Sequence, residues 1–391
     1  MAIEALYVHI PFCHAKCAYC DFDSRALDGS ALDAAAERYL DGLFRRIDAL
    51  GDAGALQNVR TAYLGGGTPT VLGPRLPKLV RHIRAWCAPE ELTCEANPES
   101  FTEALAAGLA VSGVTRISLG VQSFQDEELC AIGRLHDARS ARAAVERARA
   151  HGFDVSCDLM CGLPRQTEES WEETLREAID AAPGHISVYP LAIEAGTPLA
   201  RRIERGEECT PDEDFQAECM VRARDLLEAS GYARYEVASY AKPGKACRHN
   251  IAYWTGTSYL GVGRSAAGML TAGEFCGLSA LFGDTLAGGG AARVRFVQRD
   301  DAACSFDFEF LSEREAIAED LMLAMRTTAG APSELLDRAQ RALGAARVQA
   351  GIRAATTSGL TRLDAATGAL VPTEDGWLLG NELFGIMWDL R

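Results

Sequence analysis

The stretch YVHIPFCHAKCAYCDF, residues 7–22, decides the fold. A short apolar run of strand-forming residues ends at a proline. Cys13, Cys17 and Cys20 follow at once in the order Cys-x-x-x-Cys-x-x-Cys, with Tyr19 just before the last. Thiolates bind soft metals. A structural zinc site takes four ligands, usually as two separated pairs, and His9 or His14 could supply a fourth here. A redox pair needs only Cys-x-x-Cys and leaves one thiol unexplained. The remaining reading is an iron–sulfur cluster held by three protein thiolates, with one iron left open to an outside ligand.

Working outward from this loop, the first half of the chain alternates between two patterns. Short β-rich runs end in Gly, Pro or polar residues at 5–11, 59–66, 92–98, 115–123, 154–164 and 185–193. Amphipathic helical runs lie near 32–50, 74–87, 101–112, 126–150, 168–181 and 213–230. This spacing predicts parallel βα units, and the near-continuous apolar character of the strands fits a sheet covered on both faces. Special residues stand at the end of every strand: the cysteine loop, Gly65 to Thr68, Glu95 with Asn97, Gln122 with Ser123, Asp158, and Tyr189 with Ala192. Ligands bind at that face of parallel β/α folds. One ligand ringed by six strand ends favours an incomplete (β/α)6 TIM-like barrel over an open sheet. A phosphate loop at LGGGTP (64–69) is disfavoured, because no Lys-Ser/Thr follows it.

Composition narrows the function classes. The chain has 391 residues and is 48% hydrophobic, enough for a large core. A net charge of −16 argues against nucleic acid as a partner. No run of about 20 apolar residues suggests a membrane span. The first residues show neither a basic n-region nor a cleavage site, so a cytoplasmic location is expected. Thirteen cysteines, an odd number, do not suggest a disulfide framework. Cys94, Cys157 and Cys161 read as small buried hydrophobes.

With the cysteine loop in place, further stretches resemble one family: YLGGGTPTVL, CEANPES, RISLGVQSF, IGRLHDARSA, DLMCGLPRQT, IEAGTPL, YEVASYAKPGKACRHNIAYW and LMLAMRTTAG. Together with the loop they are similar to the HemW-like heme chaperones of the radical S-adenosylmethionine (SAM), oxygen-independent coproporphyrinogen III oxidase-like family. The resemblance runs from about Leu6 to the C-terminus and is weakest over 265–305 and 330–360. It implies the incomplete barrel, a 4Fe–4S cluster on Cys13, Cys17 and Cys20, and SAM on the open iron, cleaved in such enzymes to a deoxyadenosyl radical. Tyr7, Tyr19, Gly66, Gly67, Thr68, Glu95, Gln122, Arg134, Asp158 and Ala192 match positions that contact SAM. HNIAYW (249–254) matches a heme-binding motif and nominates His249, Asn250, Tyr253 and Trp254. His249 is a candidate axial ligand. The nearby Lys242, Lys245 and Arg248 form a cationic stretch suited to propionates.

The implied partners are heme or a related tetrapyrrole, a heme-acceptor protein, and a reductant such as flavodoxin or ferredoxin. The alternative reading is an oxidative decarboxylase of coproporphyrinogen III. Against it, Cys20 is followed by Asp21 and Phe22 rather than by a further cysteine, and only twelve residues precede Cys13. One departure points the other way: GVGRSAAG (261–268) carries Arg264, Ser265 and Ala267 where chaperones of this type show small residues, Gly and His.

The second half reads as an irregular stretch over 231–270, a loop-rich stretch over 271–310 with a turn at 286–292, and a helical pattern from Leu311 capped by Ser312 with Glu315. The expected division is a core barrel over 1–240, a heme-motif segment and linker over 241–305, and a small, mainly helical C-terminal domain over 306–391, winged-helix-like in pattern.

Overall fold

The computed structural model describes residues 1–283, 290–301 and 305–391; the expected turn at 286–292 falls largely outside them. Six strands, β1 (Ala5–Ile10), β2 (Thr61–Gly66), β3 (Glu91–Ala96), β4 (Arg116–Gln122), β5 (Asp154–Cys161) and β6 (His185–Pro190), lie parallel and side by side in chain order. Helices α1 (Gly29–Asp52), α2 (Leu76–Trp86), α3 (Glu103–Ser112), α4 (Ala138–Ala150), α5 (Glu168–Asp180) and α6 (Glu213–Ala229) follow them in turn. Val8, Leu64, Cys94, Leu119, Cys157 and Val188 are fully buried along the strands, as parallel strands covered on both faces require. The expected run of strands and helices is therefore present, and Cys94, Cys157 and Cys161 are buried free thiols.

Five of these six helices begin where a short polar side chain satisfies the orphan N–H groups of the first turn; α2 instead carries Pro77 in its first turn. Asp28 caps α1, Thr102 α3, Asp137 α4, Thr167 α5 and Asp212 α6. The run expected as one helix over 126–150 is two, Asp126–Ala131 and α4. Gly133 separates them at φ +74°, a left-handed conformation that glycine adopts without steric cost. That break delivers Arg134 to the site.

The array does not close: β1 and β6 each take a further neighbour instead of each other. β7 (Ser239–Ala241) adds antiparallel to β6. Helix α7 (Arg248–Trp254) follows, and then β8 (Tyr259–Val262) joins β1 in parallel. β9 (Ala267–Thr271), β10 (Arg293–Gln298) and β11 (Phe306–Leu311) continue the sheet antiparallel. The stretches read as irregular and loop-rich thus carry ordered strands. β10 and β11 even show period-two alternation, RVRFVQ and FDFEFL, that pairs Phe296 with Phe308 and Val294 with Phe310. Helix α8 (Glu313–Ala324) opens with the expected capping box of Ser312 and Glu315 and leads into helices and a two-stranded hairpin, Thr361–Leu363 with Leu370–Pro372. No helix among the described residues is long and apolar enough to cross a membrane.

Candidate functional site

The cysteine loop is built directly onto the end of β1. Phe12–Cys13 pairs in parallel with Arg25–Ala26 and closes the loop at its base. Ala18 N–H donates to the Ile132 carbonyl (2.9 Å), and Leu199 N–H donates to the Ala18 carbonyl (2.8 Å), pinning the loop from outside. The end of β2 supports it from below. Gly67 N–H donates to the Ile10 carbonyl (2.9 Å) and Thr68 N–H to the Phe12 carbonyl (2.7 Å). The Thr68 hydroxyl points at Cys13 Sγ, 3.5 Å away. A Cβ on Gly67 would stand 2.6 Å from the Phe12 carbonyl oxygen, and one on Gly66, where φ is +115°, 2.5 Å from the His9 ring. These glycines therefore first let the loop seat on the strand; the sequence reading assigned them to ligand approach.

Cys13, Cys17 and Cys20 are free thiols that line one cavity of about 370 Å³. Tyr19, Gly66, Gly67, Thr68, Glu95, Gln122, Arg134, Asp158 and Ala192 line the same space. Of the SAM positions suggested by the sequence, Tyr7 lies outside it. Ser118, Met160 and Glu194 line it as well and were not singled out. Ser118 had a signal: it lies two residues before Gly120, so strand alternation puts both on one face. Ser123 turns away and hydrogen-bonds Glu128 (2.7 Å). Among the described residues, no three His, Cys, Asp or Glu side chains converge on a single-ion site.

The floor of the cavity is polar and desolvated. The register of β4 on β5 shifts between Gly120 and Gln122, and Gln122 sits at φ +68°, a conformation uncommon outside glycine and typical of functional sites. Such a bulge re-aims a side chain, here into the cavity. Arg134 takes up the freed Gly120 carbonyl (2.5 Å), reaches Asn97 Oδ1 (2.9 Å), and directs Nη1 at Cys17 Sγ (3.4 Å). Glu95 accepts from the Tyr63 hydroxyl (2.8 Å) and the Gly66 N–H (3.0 Å), yet burial pushes its carboxyl up to about 7. Asp158 accepts from the Ser118 hydroxyl (3.0 Å), and burial pushes it up to about 6. Two carboxyls poised near neutrality, facing one cavity, suit a ligand that brings positive charge.

The motif at 249–254 folds as α7, whose first N–H groups, those of Arg248 and His249, donate to the Glu91 carboxylate at 3.2 and 3.0 Å. A carboxylate there complements the helix dipole. His249 is 1% exposed. Its Nδ1 meets the Thr61 hydroxyl (3.0 Å), its Nε2 the Tyr253 hydroxyl (3.2 Å), and its ring stacks on Tyr63. Burial lowers its basicity, to a pKa of about 3. The ring is neutral and both nitrogens are engaged, so the open axial nitrogen expected from the sequence is not offered in this arrangement. Asn250 faces a small polar cavity inside the barrel, with Tyr63 and His185. Tyr253 and Trp254 line a different space, together with Tyr7 and His9. The expected cationic patch does not assemble there. Lys245 pairs with Asp154, Arg248 pairs with Glu90, and Lys242 lies over the Tyr232 ring.

Comparison with known proteins adds to this geometry. The family model described as Radical SAM superfamily matches residues 7–178. The heme chaperone HemW of Bacillus subtilis (strain 168) is 31% identical over 393 residues, covering 98% of this chain and 98% of the relative. The heme chaperone HemW of Escherichia coli (strain K12) is 39% identical over 272 residues, 68% of this chain and 70% of the relative. Among solved structures, coproporphyrinogen III oxidase (HemN) from Escherichia coli, described as a radical SAM enzyme, has the same fold. Its TM-score is 0.78 at 23% identity, over 99% of this chain and 90% of that one.

Proposed function

Because the chain belongs to the HemW heme-chaperone family of radical SAM proteins, we propose that it is a cytoplasmic protein that binds heme and hands it to an acceptor protein. In this reading Cys13, Cys17 and Cys20 hold a 4Fe–4S cluster whose fourth iron takes SAM. The observation that carries it is the close arrangement of the three-thiol loop, its glycine seat and the polar residues of the strands around one cavity, in a chain matched over 98% of its length by a relative named a heme chaperone. A cluster with SAM on its open iron supplies one-electron chemistry, driven by a reductant of the flavodoxin or ferredoxin class.

The chain's own residues do the rest. Thr68 and Arg134 direct donors at the sulfurs of Cys13 and Cys17. Glu95 and Asp158 offer carboxylates to the cationic groups of SAM, Tyr19 and Ala192 enclose it, and Gln122 adds an amide. The segment from His249 to Trp254 serves heme binding. The proposed division by role is a barrel to 240, a heme segment to 305 and a C-terminal domain from 306, whose first strand, β11, still pairs with β10.

The test is anaerobic reconstitution with iron and sulfide, followed by heme titration with and without SAM, read by absorbance. A saturable Soret shift that weakens in His249→Ala and passes to an acceptor apoprotein is expected. Failure of the intact, cluster-loaded protein to bind heme, with deoxyadenosine formed on reduction, would reject the chaperone reading in favour of an enzyme.

A further inference from the structure

A second cavity, of about 520 Å³, opens beside the first, and Phe22, Gly66 and Glu95 line both. Its walls come from β1, the segment from α7 to β9, β10 and α8. Planar side chains shape it: Tyr253 and Tyr259 meet edge to face at 4.5 Å, and Trp254 follows in the wall. The thioethers of Met269 and Met322 add soft, polarizable contact surface. Arg295 also lines it, holding Glu319 at 2.7 Å and the exposed Glu309 at 3.0 Å. An exposed ion pair is weak, so a ligand carboxylate can take the place of Glu309. The volume falls in the range of small-molecule sites, and aromatic walls match a planar ring. Ala267, exposed on this wall, leaves the space open.

His249 stands behind the wall. It reaches the cavity through one contact, the hydrogen bond to the Tyr253 hydroxyl (3.2 Å), with its ring at 4.8 Å from that of Tyr253. Resting on the heme-binding reading above, the geometry points to this second cavity as the seat of the iron tetrapyrrole, against Tyr253 and Trp254. His249 is then a positioning residue that fixes the Tyr253 wall, and it does not ligate the iron.

The test uses the full-length, cluster-loaded protein, with heme binding read by Soret absorbance and SAM binding measured on the same preparations. Ala267→Trp fills the cavity and is expected to weaken heme binding by about tenfold or more, with iron content and SAM affinity unchanged. Met322→Trp, at a half-buried position on α8, is expected to do the same should the first variant fold poorly. His249→Gln keeps a hydrogen-bonding group beside Tyr253 and is expected to leave the bound-heme spectrum unchanged, with affinity within about threefold; His249→Ala weakens affinity, again without a change of axial-ligand bands. Full affinity in both Trp variants, or a change of axial ligation in His249→Gln, overturns the assignment. A wild-type protein that binds no heme rejects the chaperone reading, and the seat with it; that outcome is distinct from heme binding that ignores the cavity.

Discussion

Glu95 and Asp158 show how far a residue's role depends on what surrounds it. Both carboxyls line the cavity, Glu95 near the end of β3 and Asp158 within β5; both accept hydrogen bonds that favour ionisation, but burial outweighs these and holds them at about 7 and about 6. A cationic ligand favours the ionised form. Binding to the protonated site must therefore release a proton, and affinity falls as pH drops through 7 and then 6, by up to about tenfold per unit for each carboxyl engaged. Calorimetric SAM titrations from about pH 5.5 to 8 in buffers of different ionisation enthalpy check this; Glu95→Gln is expected to remove the upper part of the dependence. Folding runs in the opposite sense. The folded state keeps the Glu95 proton between the usual carboxylate range and about 7, so this group's contribution to stability declines as pH rises across that window. Gly67 gives a second prediction at this scale. With a Cβ 2.6 Å from the Phe12 carbonyl and 3.0 Å from Cys13 Sγ, Gly67→Ala is expected to cut cluster loading to a minor fraction of wild type, by iron and sulfide assay, while the far-ultraviolet circular dichroism stays native. The three thiols were legible from their spacing. The state of His249 was not, because a local motif cannot say that Thr61, distant in sequence, meets one ring nitrogen while Tyr253 meets the other.

At the scale of elements, the six parallel strands were legible because each is a continuous apolar run ending in a glycine or polar residue. The β8–β11 extension was not legible, because β8 and β9 are short and β10 and β11 alternate polar and apolar residues instead of running apolar. Yet this extension holds the cluster loop in place. The turn between β8 and β9 brings Arg264 Nε to Asp23 at 2.7 Å and the Ser265 hydroxyl to the same carboxylate at 2.5 Å. Arg264 N–H donates to the Tyr39 hydroxyl, which in turn donates to the His9 carbonyl. Two of the three residues that depart from the chaperone-like pattern, Arg264 and Ser265, are therefore the ones that clamp the segment just after Cys20. Asp23 is partly exposed, so Asp23→Ala is expected to change global stability by no more than about 1 kcal/mol. The same change frees the cluster loop, and the reconstituted cluster is expected to bleach several-fold faster in air, followed by its visible absorbance. Bleaching at the wild-type rate would leave the Asp23 contacts without a role in protecting the cluster.

Across the whole molecule, the extension and the C-terminal helices meet at a buried set of charges. Arg293 on β10 holds Glu319 and Asp320 of α8, each at 2.6 Å, and all three side chains are largely buried. Nearby, Arg326 lies over the rings of Trp254 and Phe384, and its backbone carbonyl accepts from Val237 N–H (2.9 Å), so the end of α7 is tied to the C-terminal helices. Helix α8 also contributes Glu319, Met322 and Leu323 to the second cavity. Its docking therefore determines whether that cavity exists, whereas the cluster cavity is built from the barrel and its loops alone. Removing one partner of a buried ion pair leaves the others uncompensated and costs about 3–5 kcal/mol. Arg293→Ala leaves Glu319 to Arg295 and Asp320 to the longer contact with Arg338, and is expected to lower the denaturation midpoint by part of that cost. Because the loss is local to α8, the variant is expected to keep its iron content and SAM affinity while losing heme affinity. Denaturant unfolding, iron assay and heme titration on one preparation separate the cases. A cost below about 1 kcal/mol would mean that apolar contacts dock α8 without the ion pairs, and equal losses of iron and heme would mean that the barrel needs the C-terminal helices to hold its own cluster loop.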